Sequence, residues 1–209
     1  MLSKFYGNHQ NLQYFFLLAI LLGALGVSLF LAVSMGSVQI SLSDTYRIIF
    51  SKMGAPLDIG DLSKSTLAIV WNMRLPRVFL ALIVGAGLSM SGSVMQSTVN
   101  NPIAEPYVLG ISAGATFGAT LSIILGFKVM IGLGSFLGAL VATVAVLVIA
   151  SIQGRMTTSS LILSGTVVNA LFLAFSNFII SIGANADSVM TIKFWTMGSL
   201  AGSSWAHLT

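Results

Sequence analysis

Five stretches of the chain are apolar enough to cross a lipid bilayer, and single charges separate most of them. Leu12 to Ser34, Val78 to Gln96, Tyr107 to Phe127, Val129 to Ala150 and Ser159 to Ile182 contain no Asp, Glu, Lys, Arg or His. About 20 such residues suffice for a span, because a helix rises about 1.5 Å per residue across about 30 Å of hydrocarbon. Glu105, Lys128 and Arg155 divide the last four runs. The pattern predicts an all-α fold, a polytopic transmembrane helix bundle forming a single domain over 1–209. Its spans fall near 12–34, 78–97, 107–127, 129–150 and 159–182, with the start of a sixth span towards the end.

Gly36 to Met73 is the only extensive polar segment, and it holds Asp44, Arg47, Lys52, Asp58, Asp61 and Lys64. It is too short and mixed for a separate domain. We expect an extramembrane loop over 36–73 with one short surface helix, Ser43 to Met53. The first apolar run, preceded by Lys4 and ending in Ala32-Val33-Ser34, has the outline of a cleavable signal peptide. It is longer than the hydrophobic region of such peptides, which favours a retained span.

Small residues mark where helices can approach closely. Gly110, Gly114, Gly118, Ser122 and Gly126 recur every four positions, and Gly85, Ser89 and Ser93 repeat the device in the second run. In lipid, where no hydrophobic drive separates helix from solvent, such stripes allow backbone-to-backbone van der Waals contact. Internal packing is the simpler expectation, and a dimer interface is the alternative.

Composition agrees with the membrane reading: 56% of the residues are hydrophobic, 7% are charged, and mean hydropathy is +0.98. A net charge of +4 would suit nucleic acid only if the cations clustered, and beyond Arg74 and Arg77 they do not. Without cysteine there is neither disulfide nor thiolate metal site. His9 and His207 lie near opposite ends, and no phosphate-cradling glycine loop is present, so no catalytic residue, resident metal or cofactor is expected. The absence of ionisable residues from all five runs argues against a proton-driven pump or voltage-gated channel. Polar groups within the runs include Ser164, Thr166, Asn169, Ser176 and Asn177. Asn169 and Ser176 could line a polar path or make ordinary interhelical hydrogen bonds.

Arg74-Leu75-Pro76-Arg77 is the exception to the scattered charges. Pro76 suits the first turn of a helix, and Arg77 would then oppose the helix dipole by about 0.3–1 kcal/mol. Something else must favour it there: lipid phosphates or snorkelling, or a carboxylate on a partner.

An ordered series of motifs follows: Arg74-Leu75-Pro76-Arg77, Gly85-Ala86-Gly87-Leu88, Ser91-Gly92, Gln96, Asn101-Pro102-Ile103-Ala104-Glu105-Pro106 and Leu109-Gly110-Ile111-Ser112-Ala113-Gly114-Ala115. With Thr157 to Gly165 and Trp195 to Trp205, the series resembles the permease subunits of binding-protein-dependent ABC importers for ferric siderophores, haem and cobalamin. The resemblance implies a transporter subunit, not an enzyme, in a bacterial cell membrane. Its partners would be a second permease subunit, identical or paralogous, a cytoplasmic ATPase, an extracytoplasmic substrate-binding protein and a metal-chelate substrate, with no nucleic acid.

By the same resemblance Arg74 and Arg77 would be binding-protein docking groups on the outer face, and loop 36–73 would be extracytoplasmic. Asn101, Pro102, Ala104, Glu105 and Pro106 would belong to a cytoplasmic loop. Thr158 and Ser159 would form a cytoplasmic gate, Asn169 would face the pathway, and Trp195 to Trp205 would form an outer short helix and turn. Gly85, Gly110, Gly114 and Gly118 would serve helix packing. This orientation places Arg155 inside and most cations outside, against the positive-inside tendency. Such permeases have about ten spans, so the resemblance implies a truncated form: a fragment, a broken gene or one piece of a split permease. A non-ABC channel, a secondary transporter and a non-transporting membrane scaffold are the competing classes.

Overall fold

A computed structural model describes residues 2–102, 104–152 and 157–208, and every described segment of regular structure is helical. Arg155 and Ile103 lie outside the described residues. The helices are α1 (Leu2–Ser34), α2 (Leu42–Lys52), α3 (Lys64–Ala68), α4 (Leu75–Val99), α5 (Ile111–Ile124), α6 (Ile131–Ser151), α7 (Thr158–Gly183) and α8 (Ala186–Met197). Short 3₁₀ turns cover Pro106–Leu109, Lys128–Met130 and Trp205–His207. The chain forms two compact units, one of Met1–Val84 with Leu200–Thr209 and one of Gly85–Ser199.

Among the described residues, four helical segments are long and apolar enough to span a membrane: Leu12–Ser34, Lys64–Val99, Ile131–Ser151 and Thr158–Gly183. The run expected to span 107–127 instead folds as a 3₁₀ turn followed by the 14-residue α5. At about 1.5 Å per residue, α5 alone is shorter than the hydrocarbon core. Two glycines set its limits: Gly110 at φ +69° ends the 3₁₀ turn, and Gly126 at φ +81° follows its last turn. Both values lie in the left-handed region that glycine adopts without steric cost.

The second correction concerns residues 64–73, expected as loop. They are helical and continuous with the span, because Ser63 caps the first turn by accepting a hydrogen bond from the Thr66 N–H at 3.1 Å. Pro76 and Arg77 therefore lie well inside a helix, and the expected opposition of Arg77 to an N-terminal dipole does not arise. The chain accommodates the proline through a π-helical segment, Ile69–Arg74, inserted between α3 and α4. The surface helix expected over 43–53 appears as α2, capped by Ser41, whose Oγ accepts from the Asp44 N–H.

In the second unit, α5, α6 and α7 pack around Ala113, Ala142, Val146, Val168 and Phe172. Phe117 meets Phe172 edge-on with ring centroids 5.4 Å apart. A Cβ on Gly114 or Gly118 would run into the backbone oxygen of Gly138 or Gly134, so glycine faces glycine where α5 crosses α6. Ser122 completes that face, its hydroxyl donating to Gly118 O at 2.9 Å. Most side chains of Leu12–Ser34 and of α4 are exposed, and on spanning helices those surfaces suit lipid or further helices.

Candidate functional site

The π segment explains how Arg74 and Arg77 are aimed. Leu75 donates its N–H to Val70 O, five residues back instead of four. The next bond in that register would run from residue 76 to Trp71 O, and proline has no N–H to give. Trp71 O is left over within the helix and accepts the Trp205 indole Nε1–H at 2.9 Å. The two tryptophan rings lie 5.4 Å apart and Phe79 packs on Trp205 at 6.2 Å, so the unpaired carbonyl becomes an aromatic joint.

Arg74, at the end of the π segment, is only 7% exposed. Its Nη1 donates to Val33 O at 3.1 Å and to Ser34 O at 2.8 Å, and its Nη2 donates to Val38 O. Val33 and Ser34 end α1, where terminal carbonyls lack helical donors and the dipole favours a cation. Gly36 leaves room for this arrangement, since a Cβ there would lie 2.8 Å from Nη2. Arg77, one turn further on, donates from Nε to Leu200 O at 3.2 Å and from Nη2 to Ala201 O at 3.0 Å, and stays half-buried. Both arginines border an open pocket of about 350 Å³ with Met35, Ser37, Met73 and Val78. The pair expected as two outward docking groups is thus placed as one buried cap and one partly accessible cation.

Nearby, Arg47 on α2 forms a two-bond fork with Asp61, Nη1 to Oδ2 at 3.1 Å and Nη2 to Oδ1 at 3.0 Å. It also reaches Asp44 at 3.4 Å and donates to Asp58 O. The hydrogen bond from Arg47 holds the Asp61 carboxyl below the usual carboxylate range, and Asp61 raises Arg47 in return.

In the second unit, Asn101, Pro102, Ala104 and Glu105 lie between the end of α4 and the 3₁₀ turn that Pro106 opens. Asn101 donates its N–H to Gln96 O, Ala104 donates to Asn101 O, and Asn100 sits at φ 52°. Pro106 then opens the 3₁₀ turn to Leu109. Glu105 is exposed and, with Leu88, Gln96, Ala104, Tyr107 and Ile111, lines an apolar pocket of about 480 Å³. Gly110 approaches α7, where its Cβ would lie 3.3 Å from Val168 Cγ1 and 3.4 Å from the backbone N of Asn169. Asn169 is half-buried at this crossing. Gly85 has no neighbour within 4 Å of its would-be Cβ, unlike Gly114 and Gly118.

Thr157 and Ser160 form a reciprocal capping box at the start of α7, each side chain accepting from the other's N–H. That box sets Thr158 and Ser159 in the first turn. Thr158 Oγ1 donates to Val99 O at 2.9 Å, closing the last turn of α4, while Ser159 stays exposed on a pocket of about 280 Å³. The structure brings neither Thr158 nor Ser159 to Asn169, which lies about three turns further along the same helix. Sequence reasoning missed the Arg47–Asp61 fork and the Trp71–Trp205 joint. Opposite charges 14 positions apart hinted at the first, but acceptors that are backbone carbonyls carry no signature in the sequence.

The FecCD transport family matches residues 18–209. The chain is 35% identical to the uncharacterised ABC transporter permease protein YvrB of Bacillus subtilis, over 88% of this chain and 53% of that protein. It is 39% identical to the cobalamin import system permease protein BtuC of Halobacterium salinarum, over 72% and 41% respectively. A solved inward-facing structure, described as a metal-chelate type ABC transporter, superposes with a TM-score of 0.66 at 27% identity, over 87% of this chain and 53% of that one. The chain spans about half the length of the curated relatives it matches. Apolar helices of spanning length and a family match over nearly the whole sequence lead to one conclusion: this multi-pass membrane chain belongs to the FecCD transport family of ABC transporter permeases.

Proposed function

We propose that the chain acts as permease in an ABC importer of a bacterial cell membrane. With a second permease subunit it would form the pathway for a metal chelate, a ferric siderophore or cobalamin being the two cargo classes to test first. A separate ATPase would energise transport and a substrate-binding protein would deliver the cargo. The family match across residues 18–209 carries this reading. The exposed surfaces of α1 and α4 support it, since a larger bundle would cover part of them.

Within this reading the outer face is the end of α4 that carries the arginines. Docking of the binding protein falls to Arg77, whose guanidinium stays partly accessible, while Arg74 holds the scaffold that presents it. Asn101, Pro102, Ala104, Glu105 and Pro106 and the capped start of α7 at Thr158 and Ser159 would be cytoplasmic, with Asn169 along the pathway.

The test is uptake of ⁵⁵Fe-siderophore and ⁵⁷Co-cobalamin into vesicles that hold the chain together with its neighbouring permease segments, ATPase and binding protein. ATP-dependent uptake of one cargo, lost when the chain is omitted, is expected. Uptake that persists without ATP would favour a channel or secondary transporter. Arg77→Glu should weaken binding-protein association at least tenfold, more strongly at low ionic strength, where attraction is least screened.

A further inference from the structure

The helix α2 is unlike the others: short, polar on one side and apolar on the other. At 100° per residue, Leu42, Tyr46, Ile49, Phe50 and Met53 fall on one face of the helix and its C-cap, while Asp44 and Arg47 lie opposite. Thr45 and Ile48, on the inward side, are fully buried. Phe50 and Met53 are 51% and 73% exposed, and Leu42 is exposed beside them.

Its location is fixed by Tyr46. The Tyr46 ring stacks on Phe30 with centroids 4.3 Å apart and planes 10° from parallel, and its hydroxyl donates to Phe30 O at 2.9 Å. Phe30 lies in the last two turns of α1, just before the apolar run ends at Ser34. α2 is therefore held beside the end of the apolar run of α1. Its apolar face continues the exposed apolar surface of α1 formed by Val27, Phe30 and Leu31.

We propose that α2 is an interfacial helix, with Leu42, Phe50 and Met53 inserted at the boundary between headgroups and acyl chains. The chemistry matches a lipid occupant at each point. Amphipathic helices of modest overall hydropathy, with aromatic and aliphatic residues on one face, lie in this zone. Tyr46, with an apolar body and a polar tip, is suited to the same depth. The polar side is neutralised within the protein by the Arg47 contacts with Asp44 and Asp61, while Lys52 stays exposed in the last turn.

The sequence contains no cysteine, so single labels can be placed without background. Nitroxides at Phe50→Cys, Met53→Cys and Leu42→Cys, in the chain with its assembled partners in phosphatidylcholine–phosphatidylglycerol vesicles, would report collisions with oxygen and with a water-soluble nickel chelate. Phe16→Cys on α1 gives the lipid reference and Lys64→Cys the aqueous one. The proposal expects all three α2 labels to favour oxygen over nickel at least threefold relative to Lys64→Cys. Nickel access equal to that at Lys64→Cys would overturn it, as would exclusion of both reagents, which would mean that protein covers the face. Three independent positions keep the result readable if one variant fails to insert.

Discussion

Arg74 donates to Ser34 O at 2.8 Å across 40 positions of sequence, closing the end of α1 with a cation carried by another helix. The contact joins two breaks in regular structure, the free carbonyls of a helix terminus and a π segment forced by proline.

Replacing Arg74 should therefore destabilise the chain more than a surface arginine would. Arg74→Ala leaves the Val33, Ser34 and Val38 carbonyls without their donor, and we expect a loss of about 2–4 kcal/mol. Arg74→Lys should recover only part, because an ammonium lacks the planar fork that spans separated acceptors. Reversible unfolding of the detergent-solubilised protein measures both.

Trp205→Phe keeps an aromatic ring against Trp71 and Phe79 but removes the indole N–H, leaving Trp71 O unpaired. A loss of about 1–3 kcal/mol is expected. Pro76→Ala in the same background supplies an N–H at the position where the π register lacks one, and should restore part of the loss. Thermal unfolding of the single and double variants tests the coupling; equal effects in both backgrounds would disprove it.

Gly138→Leu and Gly114→Leu should disrupt the α5–α6 crossing, since even a Cβ meets opposing backbone that has no rotamer in which to retreat. Overpacking of this kind costs about 1–3 kcal/mol or more. Gly85→Leu, with nothing within 4 Å of its Cβ in this chain, should leave the α5–α6 packing intact. Cysteine cross-linking between the two helices distinguishes the outcomes.

The Arg47–Asp61 fork gives a pH dependence of definite sign. Asp61 titrates lower in the folded chain than in the unfolded one, mainly through the hydrogen bond from Arg47. Its stabilising contribution is therefore fully present above the ordinary carboxylate range, about pH 4, and disappears as pH falls through the depressed value. Hydrogen exchange of the α2 amides should show protection falling below about pH 4, and Asp61→Asn should remove that step.

Much of this protein was legible as hydrophobic periodicity. Ile131–Ser151 and Thr158–Gly183 form helices close to where their apolar runs begin and end, and α1 ends with its run at Ser34, because in lipid a backbone must satisfy its hydrogen bonds within its own segment. Residues 64–73 and 107–127 were misjudged for opposite reasons. In the first, polar residues and a proline suggested loop, yet the Ser63 cap and a π register carry helix through them. In the second, an unbroken apolar run concealed Gly110 and Gly126, whose positive φ values shorten α5.

The sequence by itself determined the membrane class, the positions of most long apolar helices, the motif series and the unusual stationing of Arg74 and Arg77. These depend on composition and on spacing along the chain, which local physics can read. Only the tertiary structure decided what the arginines do: Arg74 caps α1 and Arg77 holds the Leu200–Ala201 turn, two roles that identical side chains three residues apart could not reveal. Their acceptors are main-chain carbonyls, and every residue has one. Which carbonyl is left unpaired depends on where helices end and registers shift, and that is settled only when the chain has folded.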